Sequence, residues 1–174
     1  MRPEVIHRYA APVPRYTSYP TANHFSGAVG PDKYRDWLVA LPAGSALSLY
    51  AHIPYCQALC WYCACNTQAT RQYAPVVAYL DALHIEIERV GGLLPQHAVS
   101  DIHWGGGSPD ILKPADIVRL GSALRRHFIV RDDTEFAVEI DPRLLNHDQV
   151  QAFADIGVTR VSLGVQDFDQ TVQA

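Results

Sequence analysis

Apolar positions along this chain fall into two kinds of run: short compact ones that suit strands, and stripes at helical spacing that suit helices. Residues 46–53 (ALSLYAHI) read as a buried strand. Residues 75–90 place Val76, Leu80, Leu83, Ile87 and Val90 on one helical stripe, with Gly91 and Gly92 as the expected stop. Residues 101–104 predict a short strand that runs into Gly105, Gly106 and Gly107. A second helix is expected over 114–127, entered through Pro114. Residues 135–140 (EFAVEI) predict a third strand. Residues 147–156 predict a third helix, capped by Asn146 and ended by Gly157, and 158–165 a fourth strand.

The upstream pattern differs. Residues 1–30 are rich in Pro, Tyr, Thr and Ser, and Pro12, Pro14 and Pro20 exclude a long helix there. An ordered, extended arm is expected, then a short helix over 31–41 with Tyr34, Trp37, Leu38 and Leu41 on one face. The reading therefore divides the chain into an arm with its helix (1–45) and an alternating β-α-β-α-β-α-β segment (46–174). Short links between alternating elements imply a parallel α/β sheet. Four βα units are half of a closed eight-stranded barrel, which takes roughly 250 residues. An open doubly wound sheet would be complete at this length.

Composition narrows the class. The 174 residues are 48% hydrophobic and 18% charged, which fits a globular chain, and the net charge of −4 argues against a nucleic-acid or anionic-membrane partner. There is no run of 18 apolar residues and no apolar segment at the start, so neither a membrane span nor a secretory signal is expected, and the cytoplasm is the expected location. The 4 cysteines all lie between positions 56 and 65. A disulfide framework would spread them through the chain, whereas a grouping this tight looks like a ligand set in a reducing compartment.

Cys56, Cys60 and Cys63 form a C-x3-C-x2-C pattern directly after the first strand, with Cys65 two residues on. Three thiolates on one loop can cap three irons of a cubane. The fourth iron then stays open to a small molecule, as an open position does in catalytic zinc sites. A zinc site and a cluster ligated by all four cysteines remain alternatives at this point. The loop follows a strand end, where parallel α/β folds place their active sites.

The C-x3-C-x2-C pattern with an aromatic residue, Tyr62, before its third cysteine resembles the radical S-adenosylmethionine superfamily. Further words occur in order: PRYTSYPTA at 14–22, YAHIP at 50–54, CACN at 63–66, HWGGGSP at 103–109, VEIDPR at 138–143 and GVQDF at 164–168. Together they resemble the oxygen-independent coproporphyrinogen III oxidase (coproporphyrinogen dehydrogenase) family of haem biosynthesis, over essentially the whole chain. The resemblance implies a partial TIM-like (βα) barrel of about four parallel units behind an N-terminal arm. The family's later strands and C-terminal domain are absent here.

It also implies roles. Cys56, Cys60 and Cys63 would ligate a [4Fe–4S] cluster. Tyr50 and Tyr62 would touch S-adenosylmethionine, with Gly106, Gly107 and Ser108 as a second part of its surface and Glu139 and Gln166 as further contacts. The family is described as binding two S-adenosylmethionine molecules. Cys65 would be catalytic, and Arg15, Tyr16 and Tyr19 lie in an arm that would cover the substrate. The bland readings are a plain strand-to-helix turn for the glycines, a solvated acid for Glu139 and a surface cation for Arg15. The implied reaction is oxidative decarboxylation of two propionates of coproporphyrinogen III to give protoporphyrinogen IX, by a monomer served by an electron donor and an acceptor. A haem-binding chaperone of the same superfamily is the alternative; Cys65 and the 14–22 word favour the oxidase. A sheet that stops after four strands is expected to assemble a cluster but to be inactive by itself, with an aggregation-prone edge.

Overall fold

The computed structural model describes Glu4, Arg8 and residues 20–173. Arg15, Tyr16 and Tyr19, and most of the expected arm, lie outside the described residues. The chain forms two compact units, Met1–Trp37 and Leu38–Ala174. In the first, a 3-10 turn at Ala22–His24 precedes helix α1 (Pro31–Val39), which continues past the unit boundary. The expected apolar face of α1 is only partly used. Tyr34 and Trp37 stay about half exposed, with the Lys33 ammonium 5.8 Å from the Trp37 ring. Leu38 and Leu41, both in the second unit, pack against its core.

The second unit alternates β1 (Leu47–Ile53), β2 (Tyr55–Cys56), β3 (Gln68–Ala69), α2 (Ala74–Leu93), β4 (Ala98–Gly106), α3 (Pro114–His127), β5 (Ile129–Ile140), α4 (His147–Asp155), β6 (Arg160–Leu163) and a terminal turn of helix, α5 (Gln170–Gln173). The main sheet has the order β1-β4-β5-β6, with every pair parallel. Spatial neighbours follow chain order without a reversal. Right-handed crossovers then bring each connecting helix to the same face. A doubly wound sheet needs a reversal, so this is the wall of a (βα) barrel.

Alternation along the strands separates two chemistries. Leu47, Ala51 and Ile53 of β1, Ile102 and Trp104 of β4, and Phe136, Val138 and Ile140 of β5 are buried against the helices. They meet Val76, Leu80, Leu83 and Ile87 of α2, Ile117, Leu120 and Leu124 of α3, and Phe153 of α4. Trp104 is fully buried, edge-on to Phe136 and Phe153 at 5.2 and 6.3 Å between ring centroids. The opposite face carries Tyr50, His52, His103 and Glu139.

The fourth strand is shorter than expected, Arg160–Leu163 against 158–165, the first helix ends at Val39 rather than 41, and three boundaries differ by more. Helix α2 does not stop at Gly91-Gly92 but runs through both to Leu93. Gly91 is there for contact: a Cβ on it would lie 2.6 Å from the His127 carbonyl oxygen, so the missing side chain lets α2 settle on the end of α3. Strands β4 and β5 both begin earlier than expected. Ile129 and Val130 pair with Ala98 and Val99, and pairing resumes with Glu135 opposite Asp101. The polar run between them bulges out, closed by Thr134, whose hydroxyl donates to the Val99 carbonyl at 2.9 Å and accepts from the Arg131 N–H at 3.0 Å. Where the expectation held, the cause is local. Asn146 caps α4 in a reciprocal box, its side chain accepting from the Gln149 N–H and the Gln149 side chain accepting from the Asn146 N–H, both at 3.0 Å.

The two adjacent glycines of α2 make a paired test. Gly92 has open space where a Cβ would go. Gly92→Ala should therefore gain up to about 1 kcal/mol from helix propensity. Gly91→Ala should lose about 1–3 kcal/mol by overpacking against His127. Urea unfolding of both variants checks the opposite signs.

Candidate functional site

The site lies at the C-terminal ends of β1, β4 and β5. After β1 the chain makes a loop, closed at its base by the short parallel pair β2–β3. The Gln68 N–H donates to the Pro54 carbonyl at 3.0 Å, and the Thr70 N–H to that of Cys56 at 2.9 Å. The run-out of β4 holds the same loop: Gly107 N–H donates to the Ile53 carbonyl at 2.8 Å and Ser108 N–H to that of Tyr55 at 2.9 Å. The loop is fixed at its base, while Leu59, Trp61 and Tyr62 at its tip are exposed.

Each glycine of the Gly105–Gly107 run leaves room for close neighbours. A Cβ on Gly105 would lie 2.6 Å from Glu139 Oε2. On Gly106 it would lie 2.5 Å from the His52 ring, and on Gly107 2.5 Å from the Tyr55 carbonyl oxygen and 2.6 Å from Thr67 Oγ1. Gly106 also has φ +108°, which an L side chain rarely adopts. The run is thus more than an ordinary turn.

All four cysteines are free thiols, Cys56 and Cys60 partly buried and Cys63 and Cys65 exposed. Cys63 N–H closes a turn onto the Cys60 carbonyl at 3.1 Å, and Cys56 Sγ lies 3.5 Å from Thr67 Oγ1. Burial pushes the Cys56 thiol pKa up, and charge on Cys63 and Cys60 adds to that; burial and then Cys63 do the same to Cys65. The thiols therefore sense one another. Among the described residues no three His, Cys, Asp or Glu side chains already converge at single-ion spacing. The donor set, three soft thiols on one loop, fits an iron–sulfur cluster.

A chain of polar contacts crosses the open face of the sheet. His52 Nε2–H donates to the Asn66 carbonyl at 2.8 Å, and its Nδ1 is hydrogen-bonded to the Tyr50 hydroxyl at 3.1 Å. The Tyr50 ring stacks on His103 at 5.7 Å and 23°. His103 Nε2–H donates to Glu139 Oε1 at 3.1 Å, and the Gly106 N–H lies 3.4 Å from Glu139 Oε2. Tyr50 and Glu139, both expected cofactor contacts, are brought together. Tyr62 sits on the loop beside Cys60, 63% exposed. Gln166 stands apart, exposed after β6 with φ +69° and its amide folded towards Gly164.

Comparison with known proteins bears on this geometry. The family model described as Radical SAM superfamily matches residues 50–174. The chain belongs to the radical SAM superfamily. It is 48% identical over 167 residues to an oxygen-independent coproporphyrinogen III oxidase of Paracoccus denitrificans, covering 95% of this chain and 37% of that protein. It is 43% identical over 169 residues to the protein of that name from Escherichia coli, covering 97% and 37% respectively. A solved structure described as coproporphyrinogen III oxidase from Escherichia coli, a radical SAM enzyme, aligns with a TM-score of 0.85 at 41% identity, over 98% of this chain and 38% of that one. The chain thus spans a little over a third of the length of the relatives it matches. Membership in the radical SAM superfamily carries a [4Fe–4S] cluster and S-adenosylmethionine with it.

In this radical SAM chain a second network lies beneath the strand ends, and sequence reasoning missed most of it. Asp110 is 2% exposed. Its Oδ1 accepts from the Ser108 hydroxyl and, at 3.1 Å, from the Asp141 N–H, while Oδ2 is buried without a partner among the described residues. The Ser108 hydroxyl also accepts from the Asp141 N–H at 3.1 Å, so it is engaged on both sides. Asp141 in turn grips Arg143, Nη2 to Oδ2 at 2.5 Å and Nε to Oδ1 at 2.9 Å. Arg143, Leu144, Arg71, Gln57 and Ala58 line a cavity of about 360 Å³ beside the cysteine loop. His52 and His103 were also missed. The available signal was that His52 shares a strand face with Tyr50, two residues away.

Asp110 and Asp141 respond oppositely to pH. Burial raises the Asp110 carboxyl pKa, whereas the Arg143 guanidinium lowers that of Asp141. A folded pKa above the unfolded value gives Asp110 a contribution that is greatest below about pH 3.9, the unfolded value. That contribution is lost as pH rises through the folded pKa. In Asp110→Asn this term vanishes. The stability of the variant minus that of the native chain should rise between pH 4 and pH 7, read from urea unfolding at both. A flat difference would mean that Asp110 titrates like a surface acid.

Proposed function

We propose that this chain is the cofactor-binding portion of an oxygen-independent coproporphyrinogen III oxidase, an oxidoreductase of haem biosynthesis that converts coproporphyrinogen III to protoporphyrinogen IX. The observation that carries the proposal is the 48% identity to a protein of that name across 95% of this chain. Cys65 and the 14–22 word favour this reading over a haem-transferring relative.

Cys56, Cys60 and Cys63 hold the cluster in this reading, because their loop is anchored at its base and open at its tip. When bound, the cluster and S-adenosylmethionine supply one-electron chemistry strong enough to take a hydrogen atom from an unactivated C–H bond. The protein's part is to hold and orient. Tyr50 offers an aromatic surface fixed by His52 and His103. Glu139 offers a carboxylate whose two oxygens are held in place, suited to ribose hydroxyls or an ammonium group. Gly106 and Gly107 allow close approach, and Ser108, with its hydroxyl engaged, offers its backbone. Tyr62 and Gln166 complete the proposed contacts, and a second S-adenosylmethionine would divide them. Cys65 lies on the same loop, two residues past Cys63, where a catalytic thiol would act. Each propionate loses a hydrogen from its β-carbon, its carboxyl as CO2 and one electron to an acceptor, leaving a vinyl group. A cytoplasmic monomer served by a separate electron donor completes the proposal; no helix among the described residues is long and apolar enough to cross a membrane.

Anaerobic reconstitution with iron and sulfide tests the ligand set. The native chain should hold about four irons and four sulfides. Cys56→Ser, Cys60→Ser and Cys63→Ser should each lose most of that content, and Cys65→Ser should keep it. Zinc in place of iron and sulfide after anaerobic purification would sink the proposal. The reconstituted chain alone is expected to form no protoporphyrinogen from coproporphyrinogen III.

A further inference from the structure

We infer that His103 is a positioning residue that ties Tyr50 and Glu139, from different strands, into one ledge for S-adenosylmethionine. The inference rests on the reading above, in which Tyr50 and Glu139 contact that cofactor. Strand register creates the arrangement. Tyr50 of β1 lies opposite His103 of β4, and His103 lies opposite Ala137 of β5, two residues before Glu139. One imidazole therefore reaches both neighbours. Its ring face stacks on Tyr50, and its Nε2–H donates to Glu139 Oε1 at 3.1 Å.

The carboxylate is held at both oxygens. His103 takes Oε1, and the Gly106 N–H points at Oε2 from 3.4 Å. Gly105 lets the carboxylate lie close over β4, since a Cβ there would come within 2.6 Å of Oε2. An ionised carboxylate has about four acceptor positions, so roughly two stay free for a ligand donor. Tyr50 is fixed from the other side by His52, itself bonded to the Asn66 carbonyl of the cysteine loop. The His103 and Glu139 side chains are 30% and 47% exposed. A pair this exposed adds little to stability, so its worth lies in holding the ligand-facing groups still.

The test uses the cluster-loaded chain under anaerobic conditions, with S-adenosylmethionine as the probe in equilibrium binding. Glu139→Gln tests the underlying reading and should weaken binding. His103→Phe keeps a ring against Tyr50 but loses the donor, and should raise Kd about tenfold, as loss of a hydrogen bond to a charged group does. His103→Gln restores a donor and should recover part of the loss. Combining His103→Phe with Glu139→Gln should cost no more than the worse single change. In the unloaded chain, nitrogen NMR of the His103 ring should show Nε2 protonated, with a signal that moves in Glu139→Gln and an unchanged melting temperature. If Glu139→Gln weakens binding while both His103 variants bind like the native chain, the inference is overturned and the reading stands. If Glu139→Gln binds like the native chain, or the loaded chain binds no S-adenosylmethionine, both fall.

Discussion

A side chain at Gly105, Gly106 or Gly107 would collide with a group that the strand end brings in: the Glu139 carboxylate, the His52 ring, or the Tyr55 and Thr67 atoms of the cysteine loop. These neighbours come from β5, β1 and the loop after β1, so one stretch of bare backbone lets three segments meet. The same stretch supplies the binding groups. Gly107 N–H and Ser108 N–H tie down the start of the loop, and Gly106 N–H faces Glu139. Close approach and hydrogen bonding thus depend on the same missing atoms, and no other residue type serves both.

The sheet divides its labour by face. One face, with Trp104 at its centre, carries the packing that keeps the strands in register. The other holds polar side chains that contribute little to stability and are free to be arranged for chemistry. Between the two lies a brace. Asp110 accepts from Ser108 after β4 and from Asp141 after β5, and the Gln149 side chain donates to the Asp110 and Leu112 carbonyls, at 2.9 Å for Leu112. The brace ties the run-outs of β4 and β5 to the start of α4. It tolerates a buried carboxylate oxygen without a partner among the described residues, which costs stability.

Much of this was legible in the sequence, and what was not has physical causes. The helical stripe of α2, the Pro114 start of α3 and the Asn146 cap are local features, so they could be read without knowing what packs where. Gly91 and Gly92 misled because a glycine pair has two uses, stopping a helix and admitting a neighbour, and only tertiary contact decides between them. The start of β5 was hidden because its bulge is polar and is satisfied by Thr134. The cysteine spacing pointed to the loop that is proposed to hold the cluster. His103 announced nothing, since its role depends on register with Tyr50 and Glu139, and register is a property of the assembled sheet.

The loop itself shows how a fold can be ready for a cofactor. Its base is closed by backbone bonds on both sides, from β3 and from the β4 run-out, and these need no metal. The thiols above are different. Burial, and then the charge of neighbouring thiols, push Cys56 and Cys65 towards keeping their protons. Iron reverses that preference, because a metal-bound thiol gives up its proton. Loading the loop is therefore coupled to proton release. The other two proposed ligands sit towards the loop's tip, Cys60 partly buried and Cys63 exposed, so the cofactor would reach Cys63 from the solvent side.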